Sequence, residues 1–185
     1  MTIWPTVSAT GHRSQHLSPT VAEWIRPELD RVAAKLRDEY GTRVGISGMA
    51  TGVDQWWARS VLRAGLELWA YVPFPQQPDV WDDEDRAEWA DLLRQATRVR
   101  YFGDLADVAN SANRRRKAVM LLHARNGGML EDADAVVAVH RPSKADGGTA
   151  NAVKKAKRLG LPIVHVDPDA RTVRLLPVDV IGGAA

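Results

Sequence analysis

The sequence predicts an α/β fold: three layers, with helices on both sides of a mostly parallel sheet. Two observations predict it. Short β-rich runs alternate with longer helical stretches, the pattern by which a parallel sheet becomes covered on both faces. Two glycine turns, Ser47-Gly48-Met49-Ala50-Thr51-Gly52-Val53-Asp54 and Gly147-Gly148-Thr149-Ala150-Asn151, each follow an apolar strand and lead into a helix.

Taken in order, Trp4 to Ala9 reads as the first strand, with Pro5 tolerated near a strand start. Ser18 is placed as an N-cap and Pro19 at the first helical position. Val21, Trp24, Ile25, Leu29, Val32, Ala33 and Leu36 then recur at spacings of three and four, and Gly41 ends the helix. Arg43 to Ile46 is the second strand and Val53 to Ala64 the second helix, closed by Gly65. Leu66 to Val72 is a third strand, stopped by Pro73 and Pro75. The acidic stretch from Asp82 to Ala96 reads as a helix and Thr97 to Phe102 as a short strand. Asn113 to Leu122 is the next helix, with an extension towards Leu130 left open. Ala135 to Val139 is a nearly unbroken apolar run, as expected of a strand covered on both faces. Gly148 to Leu159 forms a helix ending at Gly160, Pro162 to Val166 a buried strand, and Thr172 to Leu176 an edge strand. The expectation is one domain spanning residues 1–185, without internal repeat or long linker.

At 185 residues, with 45% hydrophobic residues, the chain reads as a soluble globule. It has no Cys, which excludes disulfides, thiolate catalysis and thiolate-bound metal. Met1-Thr2-Ile3-Trp4-Pro5 lacks the basic and apolar regions of a leader, and no apolar run is long enough to span a bilayer. A cytoplasmic location is the expectation. The formal net charge of +2 says little, but its distribution says more. Asn110 to Asn126 contains no acid yet carries Arg114, Arg115, Arg116, Lys117 and Arg125. Asp79 to Asp91 holds seven acids against Arg86. Such asymmetry creates a local positive field on a nearly balanced molecule.

Ligands of parallel α/β sheets sit beyond the carboxyl ends of the strands. The loops expected on that edge carry Thr10-Gly11-His12-Arg13, Ser47 to Asp54, Pro73-Phe74-Pro75 and Arg141 to Asn151. Gly11 permits a tight turn after the first strand, and Arg13 offers phosphate a forked donor. Gly48 and Gly52 permit close backbone approach, with Ser47 or Thr51 adding a hydroxyl. Asp54 has two readings of equal weight, contact with ribose hydroxyls and structural support. Gly147 and Gly148 expose neighbouring N–H groups at a helix start, where Thr149 adds a hydroxyl. Asn151 and Lys144 stay open between ligand contact and a local role. Arg125 belongs either to the same pocket or to the basic surface that begins at Arg114. Trp24, Trp56 and Trp69 fit core positions, while Trp81 fits either base stacking or an oligomer contact. The five His form no close series with Asp or Glu, so no metal site is expected.

In combination, Thr10-Gly11-His12-Arg13, the Ser47 to Asp54 turn, Pro73-Phe74-Pro75, Ala124-Arg125-Asn126 with Met129, and Gly147-Gly148-Thr149-Ala150 resemble the YpsA-like proteins. These belong to the SLOG superfamily, together with the DNA-processing protein DprA and LOG-type phosphoribohydrolases. The likeness runs from the first strand to the strand at Ile163. It implies a Rossmann-like domain that senses, binds or processes a nucleotide or NAD-derived ligand, and it makes a homodimer reasonable. Carried onto this chain, the implied pocket uses Gly11, Arg13, Ser47, Gly48, Gly52, Asp54, Gly147, Gly148 and Thr149. The DprA likeness also implies single-stranded DNA binding through Arg114, Arg115, Arg116, Lys117 and Arg125. LOG-type hydrolases carry a glutamate three positions after the Thr of their glycine motif, where this chain has Ala152. That departure favours binding over N-glycosidic hydrolysis and leaves Asp54 as the remaining internal carboxylate for catalysis.

Overall fold

The computed structural model describes residues 2–108, 110–144 and 146–176. They form a seven-stranded sheet in the order β4-β3-β2-β1-β5-β6-β7. The strands are β1 (Thr6–Gly11), β2 (Val44–Ser47), β3 (Glu67–Val72), β4 (Arg98–Tyr101), β5 (Ala135–Val139), β6 (Ile163–Asp167) and β7 (Thr172–Leu176). All neighbours pair in parallel except β6 and β7, where Ile163 faces Leu176 in an antiparallel ladder. Five α-helices connect them: α1 (Pro19–Tyr40), α2 (Val53–Arg63), α3 (Asp83–Gln95), α4 (Ser111–Glu131) and α5 (Gly148–Arg158). The expected three-layer α/β architecture is the observed one.

Alternation along the central strands decides which helix goes where. In β5, Ala135, Val137 and Val139 join a cluster with α1, α2 and α3, while Val136 and Ala138 point into a second cluster with α4 and α5. All five residues are fully buried, which explains why this strand is apolar at every position. On α1, Ile25, Leu29, Val32, Ala33 and Leu36 form the buried stripe that periodicity predicts. Burying each of the large side chains Ile25, Leu29 and Leu36 stabilises the fold by about 1.5–3 kcal/mol.

Three details differ from the sequence reading. β1 starts after Pro5 and runs on through Gly11, because Trp4 leaves the ladder to stack on Tyr40 with ring centroids 4.1 Å apart. The fully buried tryptophan is Trp57, whereas Trp24, Trp56 and Trp69 are only partly buried. All three still pack against the core, and Arg26 and Arg98 lie over Trp56 and Trp69, 4.8 and 4.7 Å from the ring centroids. Finally, α4 is one continuous helix through Gly127 and Gly128. A Cβ at Gly128 would lie 2.7 Å from the Phe102 ring, so the glycine lets α4 settle against the chain just after β4.

The acidic block has a local reason. The Asp82 side chain caps α3 by accepting the Asp85 N–H at 2.8 Å, and Asp83, Glu84 and Asp85 occupy the first turn, where the helix dipole favours anions. Glu88 and Asp91 both hold Arg59 of α2 at 2.7 Å. Among the described residues, no helix is long and apolar enough to cross a membrane.

Gly45 shows how tightly α2 sits on β2. A Cβ there would overlap the Val61 side chain, which is itself fully buried. Gly45→Ala is therefore expected to lower unfolding free energy by about 1–3 kcal/mol, the range for overpacking a filled core. Urea denaturation of a double-mutant cycle with Val61→Ala checks the cause: the second substitution should return part of the loss. Additive losses would show that the overlap is not the source.

Candidate functional site

Strands β1 to β4 step outward in one direction and β5 to β7 in the other, so the chain reverses its course between β1 and β5. At such a switch point the loops leaving neighbouring strands diverge and open a crevice. A cleft of about 380 Å³ lies there, at the carboxyl ends of β1 and β5 and bounded by α4 and the start of α5. The volume is in the range of small-molecule sites.

Of the residues singled out by sequence, Gly11, Arg13, Asp54, Arg125, Gly147, Gly148 and Thr149 line this cleft, as do His12 and Lys144. Arg13 is exposed where it borders the cleft. Ser47, Gly48 and Gly52 do not line it. Their turn is filled by protein. The Ser47 hydroxyl donates to the Asp54 carbonyl at 2.7 Å and accepts the Met49 N–H at 3.1 Å. That bond supports Met49 in the left-handed region, at φ 60°. A Cβ at Gly48 would overlap the Arg125 guanidinium. Gly52, at φ 84°, lets residues 12–14 pass so closely that a Cβ would stand 2.8 Å from the His12 carbonyl and 2.7 Å from the Arg13 carbonyl carbon.

The other glycine turn is different. Gly147 takes φ 95° ahead of α5, and a Cβ at Gly147 or Gly148 would meet nothing within 4 Å among the described residues. Here the absent side chains leave open space at a helix N-terminus, whose first turn contains no acid. Ala152, the departure from the LOG pattern, also lines the cleft.

Beneath the cleft, Arg125 Nη1 of α4 lies 3.0 Å from Asp54 Oδ2 of α2, with side-chain exposures of 6% and 9%. The same carboxylate accepts the Ala50 N–H at 3.4 Å, and Arg125 Nη1 also meets Met129 Sδ at 3.5 Å. Burial pushes the Asp54 carboxyl above the usual carboxylate range, and the Arg125 charge works against that shift. Arg125 is thus held apart from Arg115 and Arg116, which are exposed on the same helix. Arg114 donates to the Leu105 carbonyl at 2.6 Å, while Arg116 and Lys117 border a separate surface depression with Met120.

Sequence reasoning picked out Arg125, Asn126 and Met129 but missed the rest of the α4 wall, Val119, Leu122 and His123. Val119, Leu122, His123, Asn126 and Met129 line the cleft along one helical face. Their spacing of three and four was legible once α4 was extended past Leu122. It also missed His16, carried by a short 3-10 turn at Ser14–His16. Trp81 is half-buried and does not line the cleft. Among the described residues no group of three or more His, Asp or Glu could hold a metal ion.

The fold and the cleft define a Rossmann-like α/β protein with a ligand-sized opening at its switch point. No family model and no curated protein sequence matches the chain. Solved structures match it in fold. DNA processing protein A of Streptococcus pneumoniae superposes with a TM-score of 0.61 at 17% identity, over 88% of this chain and 50% of that one. DNA processing protein A of Helicobacter pylori, described by its single-stranded DNA binding mode, gives 0.60 at 16% identity over 90% and 71%. The molybdenum cofactor carrier protein of Chlamydomonas reinhardtii gives 0.51 at 16% identity over 90% and 79%. The chain spans half the length of the pneumococcal protein. At these identities the likeness is one of fold.

Removing one partner of the Asp54–Arg125 pair strands the other charge away from water. Arg125→Met is expected to cost about 3–5 kcal/mol of stability, and the double variant with Asp54→Asn should recover part of it. Urea unfolding of the two singles and the double decides this. A loss below 1 kcal/mol in Arg125→Met would show that the pair is not needed by the fold.

Proposed function

We propose that the cleft binds a phosphorylated nucleotide or a nucleotide-derived small ligand, NAD derivatives included. The observation that carries this reading is the contrast between the two glycine turns. The turn at Gly48 and Gly52 is packed with protein, whereas the turn at Gly147 and Gly148 faces open space at the N-terminus of α5. Arg13 and Lys144 line the same cleft and supply cations for phosphate, and the α4 side chains Val119 and Leu122 supply an apolar wall for a base.

Binding rather than bond cleavage is the role we assign. Asp54 is committed to Arg125 and to the Ala50 N–H, and the cleft has Ala152 where LOG-type hydrolases have a carboxylate. As part of the same reading, residues 1–185 form one YpsA-like sensor domain, cytoplasmic and homodimeric. The gain from its ligand is expected to fall to Arg13 most directly. Isothermal calorimetry with AMP, ADP-ribose and NAD, run beside tryptophan fluorescence, tests it. Arg13→Ala should weaken the best ligand about 10- to 100-fold, the loss of a charged hydrogen bond. Failure of all three compounds to bind removes the proposal, and unchanged affinity in the variant removes the role of Arg13.

A second reading, single-stranded DNA binding, is favoured by a separate observation. The first turns of α4 carry Arg114, Arg115, Arg116 and Lys117 with no acid in the first turn, and a fold neighbour is described by its binding of single-stranded DNA. Backbone contacts of this kind weaken steeply with salt and ignore base sequence. Fluorescence anisotropy with an oligonucleotide of roughly 30 bases should show such binding and its loss in Arg115→Ala/Arg116→Ala. No binding at low salt rules this reading out.

A further inference from the structure

His12 is the group in the cleft whose surroundings the binding role leaves unexplained. It follows β1, and its backbone is pinned: the His12 carbonyl accepts the Val53 N–H at 3.2 Å, and Gly52 makes room for that approach. The residue is 7% exposed and lines the cleft, and its imidazole stacks towards His140 with ring centroids 6.3 Å apart. Nε2 is buried without a hydrogen-bond partner among the described residues. A buried, unpartnered ring nitrogen is costly unless something compensates it.

The titratable and charged groups around the ring are mostly basic ones. On its own segment stand Arg13 and His16. From the segment after β5 come His140, Arg141 and Lys144. From α4 comes His123, and Arg125 is already paired with Asp54 at the start of α2. Asp146 is the other acid of the cleft. His140 donates from Nε2 to the Lys144 carbonyl at 3.0 Å, so that ring is occupied by its own loop. Burial first, and then Arg141, Lys144, His140 and His16, hold the His12 imidazole down at about 4, neutral at ordinary pH.

We propose that His12 is a ligand-binding residue that takes up a proton when an anion enters the cleft, so that the site favours multiply charged anions and binds them more tightly as pH falls. This rests on the reading of the cleft as an anion site and deepens it. An anion between His12 and the cationic segment after β5 offsets the repulsion that keeps the ring neutral. It also offers the imidazolium an acceptor. The sign follows directly: a group that binds more protons in the complex than in the free protein makes affinity rise with proton concentration.

ADP-ribose and inorganic sulfate are suitable probes, because neither changes charge between pH 5.5 and 7.5. Calorimetry at pH 5.5 in two buffers of unlike ionisation heat counts the protons taken up. If the anion restores the ring to its ordinary value, uptake is about 0.9 proton and affinity rises about tenfold from pH 7.5 to 5.5. His12→Asn should bind with neither proton uptake nor that pH dependence. Carbon-13 NMR of histidine-labelled wild-type protein gives the same answer without a variant: the His12 ring should titrate more than one unit higher with ADP-ribose than without. Binding without proton uptake, or uptake that persists in His12→Asn, overturns the inference and leaves the anion site standing. No binding of either probe removes the anion-site reading, and this inference with it.

Discussion

The ion pair between Asp54 and Arg125 is the constraint on which the arrangement of the site depends. It joins the start of α2 to the middle of α4, two helices on opposite faces of the sheet, and it passes beyond the end of β2 to do so. Two charges that far from water are tolerable only when matched and further hydrogen-bonded. Here the Ala50 N–H supplies one such bond and Gly48 supplies the space. Within the Ser47 to Asp54 turn, Gly48 and Asp54 are the residues fitted against the arginine. The cleft stands on this floor.

Above that floor, the molecule separates its charges. The acids of α3 are spent on the helix N-terminus and on Arg59, at the far side of the sheet from α4. The cations near the switch point have fewer partners of opposite sign: Arg141 Nε lies 3.0 Å from Asp169, and its Nη1 donates to the His16 carbonyl at 3.4 Å. A nearly neutral protein can in this way present a positive opening without a large net charge.

Most of the architecture was legible because each element carries its own signal. Pro19 opens α1, Gly41 closes it, and the apolar run of β5 announces burial on both faces. The site was less legible, for a physical reason. Glycine marks a place where a side chain cannot be, but not what takes its place. At Gly48 the occupant is Arg125, distant by 77 residues in sequence and brought near only by the fold. At Gly147 the space is open. The two turns are alike as sequence and opposite as structure. The α4 wall was hidden by a different ambiguity, since the sequence left the helix's extension past Leu122 open, whereas the helix continues and Gly128 packs closely against Phe102.

The central position of β1 has a consequence for how the chain is made. This strand is synthesised well before β5, one of its two partners, where Val7 pairs with Ala135 and Gly11 with Val139. Until β5 has left the ribosome, β1 has β2 on one side and an unsatisfied hydrogen-bonding edge on the other. Its inward-facing Val7 and Ala9 have only half their final surroundings during that interval. Closing a contact over so long a separation is slow, and exposed parallel edges invite pairing with other chains. Any sheet that β1 to β4 form before β5 emerges therefore leaves open the edge that β5 later covers, and the order of translation sets how long that edge stays open.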